Sequence, residues 1–212
     1  MNPKHIYYQT QAESIIKQLK KRNMEGFYCA TADEAREKAL SLITPGETVS
    51  FGGSVTIEEC GILDALRARD DITLYDRATA KNAEEMGVIF RQAFSADSYL
   101  MSTNAITLDG ELVNIDGNGN RVAALIFGPK QVIVVAGMNK IAATEEDAVH
   151  RARNMAAPPN CIRLNKNTPC AATGKCADCM GSETICCHTV VTRRSRDAGR
   201  IKVILVGEEL GY

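Results

Sequence analysis

The stretch "QVIVVAG", residues 131–137, is the most informative part of the chain for its fold. Its apolar residues follow one another without the alternation of polar and apolar positions that a half-buried strand shows. A strand that is buried on both faces is typical of the centre of a parallel sheet. Because parallel strands need long crossover connections, the flanking sequence should alternate between strands and helices.

The sequence on both sides of this strand shows that alternation. We predict further strands at "GFYCAT", "ETVSFGG", "ITLYD", "SYLMST" and "RIKVILVGEELG". We predict helices at residues 5–25, 33–43, 54–69, 79–94 and 144–157, the last of them ending before Pro158. Two alternating segments around Asp109-Gly110 predict one antiparallel hairpin. The pattern therefore predicts a single α/β domain, residues 1–212, with a mostly parallel sheet.

The overall composition excludes several classes of protein. The formal net charge is −1 and aromatic residues make up only 5% of the chain, which argues against a dedicated nucleic-acid binder. No apolar run approaches the roughly 20 residues that cross a bilayer, and the first residues lack a signal-peptide pattern. We therefore expect a cytoplasmic protein that binds neither nucleic acid nor membrane.

Cysteines are concentrated near the end of the chain, where five of the eight fall within residues 170–187. In a reducing compartment, such a density favours metal binding over disulfides or unmetallated thiols. The predicted ligands are Cys170, Cys176, Cys179 and Cys186. Four thiolates suit either zinc or an iron–sulfur cluster, and the spacing does not decide between them. Cys161, Cys187 and His188 are alternative ligands, and the cysteine-rich insertion is expected at about residues 160–190.

A glycine turn in "SFGGSVTIEECG" lies between a predicted strand and a predicted helix. Glycines permit a ligand to approach the backbone closely, and N–H groups at the start of a helix favour a phosphate or a carboxylate. An ordinary turn with a serine N-cap would give the same pattern. The residues of this predicted anion site are Gly52, Gly53, Ser54 and Thr56.

The segment "NIDGNGNR", residues 114–121, follows the predicted hairpin. It is not a dinucleotide-binding fingerprint, because Val122 stands where the third glycine belongs. Side-chain amides that face a cleft can bind a polar ligand, although a solvent-exposed turn would have the same composition. The candidate residues here are Asn114, Asp116, Asn118 and Arg121. No local signature assembles a catalytic Ser/His/Asp or Cys/His set, so the catalytic residues stay unknown.

Three stretches resemble the LUD-domain proteins, the lactate-utilisation family: "FGGSVTIEECGI", "STNAITLDGELVNIDGNGNRVAALIFGPKQVIVVAGMNKI" and "NMAAPPNCIRLN". The final segment, which begins "NTPCAATGKCADC", resembles the cysteine-bearing stand-alone members, so that the resemblance covers about residues 5–212. It implies a fold similar to that of sugar-phosphate isomerases and CoA transferases. That fold is a three-layer α/β structure with a mostly parallel sheet, here with a small cysteine-rich lobe.

The resemblance also implies a function. Family members take part in oxidising L-lactate to pyruvate together with iron–sulfur partner proteins. Carried over by position, the glycine turn at residues 52–56 would bind an anionic metabolite, lactate-like, pyruvate-like or phosphorylated, and Asn104 and residues 114–121 would line the same cleft. We therefore expect a component of hydroxy-acid oxidation with a cysteine-bound metal or iron–sulfur centre. Two alternatives stay open, an enzyme of phosphorylated metabolites and a non-enzymatic zinc-stabilised regulatory or assembly subunit. Homo-oligomerisation is also left open.

Overall fold

A six-stranded parallel sheet forms the centre of the structure, a computed structural model that describes residues 2–212. Its strands are β1 (Glu25–Cys29), β2 (Thr48–Phe51), β3 (Thr73–Tyr75), β4 (Ser98–Met101), β7 (Gln131–Gly137) and β10 (Ile201–Val206). They lie in the order β1-β10-β7-β4-β2-β3, and every neighbouring pair is parallel. The apolar stretch at 131–137 is therefore a central strand, as its pattern predicts.

Two hydrophobic cores lie on the two faces of this sheet, because successive side chains of a strand point to opposite faces. In β7, Val132 and Val134 pack into one core, whereas Ile133 and Val135 pack into the other. Helix α1 (Pro3–Lys21) covers the first face, and α2 (Ala32–Ser41), α3 (Val55–Glu59) and α4 (Ile62–Arg67) cover the second. The predicted three-layer α/β fold is confirmed. No helix within residues 2–212 combines the length and the apolar character that spanning a membrane requires.

A second, four-stranded sheet has the order β8-β5-β6-β9. Its strands are β5 (Ala105–Thr107), β6 (Leu112–Asp116), β8 (Ile141–Ala142) and β9 (His188–Thr192). Strands β5 and β6 form the predicted antiparallel hairpin, which turns at Gly110 with φ +83°. Strand β9 was not predicted; it begins directly after the cysteine segment and pairs antiparallel with β6. This pairing ties the cysteine segment to residues 114–116.

Two predicted helices differ from the observed ones. The helix expected at 54–69 is divided into α3 and α4 at Gly61, which has φ +67°. The helix expected to end before Pro158 begins as α7 (Glu145–Arg151) and continues through a π-helical turn (Ala152–Ala156) into α8 (Ala157–Arg163). The prolines are tolerated because they lie in the first turn of α8, where an N–H group has no helical partner. As a result, α8 carries Cys161 towards the cysteine segment. The remaining helices are α5 (Ala83–Gln92), α6 (Asn120–Ile126) and α9 (Pro169–Thr173).

Candidate functional site

Five cysteines line one cavity of about 210 Å³. They are Cys161, Cys170, Cys176, Cys179 and Cys186. Four of these are the predicted ligands, and Cys161 was one of the alternatives. Cys187, the other cysteine alternative, is exposed and does not line the cavity. The structure therefore groups Cys161 and Cys186 with the other three thiols and separates Cys187 from them.

The thiols surround the cavity rather than meeting at one point. The Sγ atoms of Cys161 and Cys170 lie 3.7 Å apart, close to the roughly 3.8 Å between two sulfurs bound to one tetrahedral zinc ion with 2.3 Å bonds. Within residues 2–212, however, no three His, Cys, Asp or Glu side chains are close enough together to hold a single ion. The donor set has the soft chemistry of zinc or iron–sulfur ligands, but its members do not converge on one centre.

Two of the five cavity thiols have a raised pKa. Burial raises the pKa of Cys186 to about 11, and the neighbouring thiols of Cys161 and Cys176 add to the effect. Burial also raises the pKa of Cys161, with a further contribution from its contact with Cys170. Closely spaced thiolates repel one another in a medium of low dielectric constant. Their deprotonation therefore requires a compensating positive charge, which a bound metal supplies.

The residues predicted to bind substrate meet around Arg121, whose side chain is 15% exposed. The acceptors of its guanidinium are Asn114 Oδ1 at 2.5 Å, Ile115 O at 2.8 Å, Ser102 O and Asn104 Oδ1 at 3.0 Å, and Asp116 Oδ2 at 3.4 Å. Burial lowers the pKa of Arg121, while the nearby charge of Asp116 opposes that shift. Each guanidinium nitrogen thus has a partner inside the protein. In this conformation Arg121 links α6 to β6 and to the residues that follow β4, and its contact with a ligand stays a prediction.

The side-chain amide of Asn114 is the unsatisfied member of this cluster. Asn114 is fully buried, and its Nδ2 has no hydrogen-bond partner. The amide cannot be turned over without loss, because its Oδ1 accepts the short hydrogen bond from Arg121. A buried donor without a partner is unfavourable by about 1–3 kcal/mol. An acceptor atom of a ligand would remove this penalty. Among the predicted residues of this cluster, Asn114 therefore has an N–H group that could donate to a ligand.

The glycine turn touches this cluster at one residue. A Cβ atom at Gly52 would lie 3.0 Å from the Tyr99 hydroxyl and 3.3 Å from Arg121 Cδ. A side chain at position 52 would therefore crowd both residues, and glycine allows the turn to lie against them. The structure brings Gly52, Asn104, Asn114 and Asp116 together around Arg121. Asn118 is exposed in the following turn.

The rest of the turn faces other partners. Ser54 Oγ accepts a hydrogen bond from Ile57 N at 3.4 Å and caps α3. This is the ordinary N-cap role that the sequence left open as the alternative to an anion site. Gly53 lies beside the Arg77 guanidinium, which would be 2.6 Å from a Cβ at this position. Thr56 Oγ1 donates to the main-chain oxygen of Leu210 at 3.4 Å. The anion-binding role of these residues stays a prediction.

Comparison with known proteins identifies the family. The family model described as the LUD domain matches residues 12–206. The chain belongs to the LUD-domain family. A crystal structure of a DUF162 family protein from Deinococcus radiodurans is 14% identical, covers 95% of this chain and 98% of that one, and superposes with a TM-score of 0.51. It shows the same fold.

Other comparisons add no functional argument. The crystal structure of eIF2B delta from Chaetomium thermophilum is 15% identical, covers 68% of this chain and 57% of that one, and has a TM-score of 0.36. No curated protein matches the chain. Membership of the LUD-domain family confirms the resemblance seen in the sequence and supports a function related to lactate utilisation in general.

Strand β6 of the LUD domain separates the cysteine cavity from the Arg121 cluster. Ile115 lines the cavity, while its main-chain N–H donates to Asn104 Oδ1 at 2.9 Å and its oxygen accepts from Arg121. The main-chain N–H of Cys187 donates to Asp116 O at 3.0 Å. The thiols and the predicted substrate residues are thus in contact through a single strand.

Sequence reasoning missed a second group of buried cations in the LUD domain. Lys140 and Arg151 are only 2% and 7% exposed, and both donate to the main-chain oxygen of Tyr212. Burial lowers the pKa of Lys140 to about 7, and the positive charge of Arg151 lowers it further. A signal for this site was present in the sequence, because Lys140 is the one charged residue between Lys130 and Glu145.

Proposed function

We propose that this LUD domain takes part in the oxidation of L-lactate or a related small hydroxy acid and that the cysteine cavity holds its metal centre. The observation that carries this proposal is the grouping of five thiols around one cavity, one strand away from a cluster of substrate-binding candidates. Family membership supports the connection with lactate utilisation in general. The proposed electron acceptor is an iron–sulfur partner protein.

We propose an iron–sulfur cluster rather than a single zinc ion because the five thiols as a set do not converge on one centre, although the Cys161–Cys170 pair alone has the spacing of two zinc ligands. One zinc ion requires four ligands at about 2.3 Å from a common centre, whereas no three candidate ligands within residues 2–212 converge in that way. The cavity of about 210 Å³ is bounded by thiols from α8, α9 and the segment that follows α9. An iron–sulfur cluster, when bound, supplies reversible one-electron transfer. The proposed ligands are four of the five cavity cysteines, with Cys161 among the candidates.

The chain's own residues would bind and orient the acid beside β6. The Asn114 amide has a donor available for a carboxylate or hydroxyl oxygen, and Arg121 fixes the direction in which that amide points. Gly52 allows the glycine turn to lie directly against Tyr99 and Arg121, where a Cβ atom would crowd both. On the other face of β6, Ile115 shields the cavity with an apolar side chain, which limits the access of water to the thiols.

Metal analysis of the full chain, purified without oxygen, tests the proposed centre. We expect iron and acid-labile sulfide, with a visible absorption band that dithionite bleaches. Cys161→Ala and Cys170→Ala should each lower the iron content, whereas the matched control Cys187→Ala should leave it unchanged, because Cys187 lies outside the cavity.

Other results would support different functions. Colourless protein with stoichiometric zinc would support the alternative of a zinc-stabilised regulatory or assembly subunit. Protein without zinc or iron, in which every thiol reacts with an alkylating reagent, would overturn the metal centre. Stabilisation by sugar phosphates instead of lactate or pyruvate would favour an enzyme of phosphorylated metabolites.

A further inference from the structure

Two polar side chains, Arg77 and Tyr99, lie against the pair of glycines that follows β2. A Cβ atom at Gly52 would lie 3.0 Å from the Tyr99 hydroxyl, and a Cβ atom at Gly53 would lie 2.6 Å from Arg77 Nη1 and 3.0 Å from Arg77 Nη2. The glycines come directly after the end of β2, and Arg77 comes shortly after the end of β3. In open α/β sheets, ligands bind in the crevice at the carboxyl ends of the strands, which is where these residues are found.

Arg77 supplies a positive charge at this edge of the sheet. It begins a 3-10 turn after β3, and within residues 2–212 its half-buried side chain makes neither a hydrogen bond nor an ion pair. The neighbouring acid is Asp76, whose carboxylate accepts from Arg67 Nε and from Ala78 N, both at 2.8 Å. The Arg77 guanidinium therefore keeps its N–H donors available for a ligand.

Arg121, the arginine that the sequence predicts for ligand binding, differs from Arg77 in this respect. Acceptors inside the protein occupy its guanidinium nitrogens, and its charge faces the Asp116 carboxylate at 3.4 Å. Since Arg121 and Asp116 balance each other, Arg77 adds one positive charge beside the glycine pair. One positive charge matches a monoanion such as a carboxylate better than the dianion of phosphate.

Tyr99 supplies the second polar group. Its side chain is only 1% exposed, and its hydroxyl makes no hydrogen bond within the described part of the chain. Its neighbour in β2, Ser50, donates to Tyr75 O at 3.4 Å instead. Burial raises the pKa of the Tyr99 hydroxyl, and the charges of Arg121 and Arg77 oppose that rise, so Arg77 is within electrostatic reach of it. A buried hydroxyl without a partner is unfavourable, and an oxygen atom of a ligand would remove that cost.

We propose that Arg77 binds the carboxylate of a small hydroxy or oxo acid at the Gly52-Gly53 pair, and that the Tyr99 hydroxyl binds the oxygen on the adjacent carbon. A planar guanidinium offers two parallel N–H donors to a carboxylate. A phenol hydroxyl can both donate and accept, so the same group accepts from the hydroxyl of lactate and donates to the oxo group of pyruvate. The assignment rests on the proposed function, and it names two groups that recognise the acid.

Gly53 offers a substitution that displaces Arg77 without removing its charge. Gly53 is not among the glycines with a positive φ, so alanine meets no backbone strain there. The atoms within 4 Å of its Cβ position that lie nearest all belong to the guanidinium of Arg77. Since this is the far end of a flexible side chain, Gly53→Ala should move the guanidinium and leave the turn in place.

Isothermal titration of the full chain with pyruvate, L-lactate, propionate and inorganic phosphate tests this site. Propionate has the carboxylate but no oxygen on the adjacent carbon, so we expect it to bind more weakly than pyruvate and lactate, and phosphate to bind weakest. Arg77→Met should weaken the binding of all three carboxylates by about tenfold or more, because it removes charge-assisted hydrogen bonds. The matched control is Arg91→Met, since Arg91 forms no ion pair within residues 2–212 and lies beside Gly87 in α5.

Tyr99→Phe separates the two contacts. It removes only the hydroxyl, so pyruvate and lactate should bind about two- to tenfold more weakly, whereas the affinity for propionate should not change. Gly53→Ala should weaken the binding of all three carboxylates, and its control is Gly181→Ala, which has no atom within 4 Å of its Cβ position. The melting temperatures of Arg77→Met and Tyr99→Phe should stay close to that of the unaltered chain, because neither lost group makes an internal hydrogen bond.

Three results would contradict the proposal. Equal pyruvate affinity in the unaltered chain and in Arg77→Met would overturn it, as would an unaltered chain that does not bind pyruvate. An equal loss of propionate and pyruvate affinity in Tyr99→Phe would refute the role of the hydroxyl. Tighter binding of phosphate than of pyruvate would refute the carboxylate assignment. These affinities are measured separately from the iron and zinc content, so the failure of this site and the failure of the cysteine centre give different results.

Discussion

Replacement of Lys140 by methionine should stabilise the protein, although it removes a hydrogen bond. Lys140 has a folded-state pKa of about 7 instead of the ordinary 10.5, because its ammonium group is buried beside Arg151. That difference corresponds to roughly 5 kcal/mol of unfavourable charge burial. Methionine avoids this cost and fills a similar volume, but it loses the hydrogen bond to Tyr212 O, which offsets about 2 kcal/mol. We therefore expect the free energy of unfolding to rise by about 3 kcal/mol near neutral pH.

The stability difference between the two proteins should depend on pH, because the pKa of Lys140 is lower in the folded state than in the unfolded state. Between the folded and unfolded pKa values, the unfolded chain binds more protons at this lysine, so the unaltered protein gains stability as pH rises from about 7 towards 10.5. Below pH 7 the lysine is charged in both states and its full penalty persists. The advantage of Lys140→Met should accordingly shrink to about 1 kcal/mol or less near pH 9. The other charges that face Lys140 are those of Glu59, Arg121 and Arg151.

Urea unfolding at several pH values, followed by circular dichroism, measures this effect. The control is Lys130→Met, because the side chain of Lys130 is 81% exposed in a surface ion pair and its replacement should change stability by less than about 1 kcal/mol. If Lys140→Met lowers stability by more than about 1 kcal/mol at every pH, the contact of Lys140 with Tyr212 stabilises the fold, and the argument from the burial of its charge is wrong.

Three further predictions concern the sheet and its edge. Arg121→Met should lower the free energy of unfolding by about 3 kcal/mol or more, because its buried acceptors lose their donor. Arg77→Met should lower it by less than about 1 kcal/mol in the same urea titration, because within residues 2–212 the Arg77 side chain makes no hydrogen bond. Asp97 accepts hydrogen bonds from Lys130 and from β2, which lower its pKa to about 2. Its stabilisation is present above pH 3.8 and is lost as pH falls towards 2, so Asp97→Asn should cost about 1 kcal/mol at neutral pH, after allowing for solvent screening, and nothing in strong acid. Gly61→Ala should lower the melting temperature through strain at φ +67°, whereas Gly181→Ala, in open space, should leave it unchanged.

The sequence predicts those parts of the fold that depend on local pattern. The apolar run of β7 and the Asp109-Gly110 turn each carry their own signal, and both predictions are confirmed. The end of the helix at Pro158 was predicted wrongly, because a proline in the first turn of a helix is tolerated and the π-helical turn supplies a new helix start. Strand β9 was missed since its pairing with β6 is a long-range contact that no local pattern reports.

The candidate site also has a part that the sequence predicted and a part that it could not predict. The density of cysteines predicted four of the five cysteines that line the cavity, but Cys161 joins them only because α8 extends past the prolines. Asn104 and Asn114 converge on Arg121, but the ligand-binding cleft that the family resemblance implies stays a prediction. Internal acceptors occupy every nitrogen of the Arg121 guanidinium, and Lys140 lies close to Arg151. Both arrangements depend on contacts between distant segments, so the spacing of residues along the chain could not predict them.

The cysteine segment is held by regular structure at both ends, by α9 before it and by β9 after it. Since neither of the two main hydrophobic cores includes a residue from the segment between them, that lobe can melt as a unit of its own while the six-stranded sheet persists. If the proposed iron–sulfur cluster is bound, protein from which a chelator has removed it should therefore remain folded and rebuild the cluster when iron and sulfide are added.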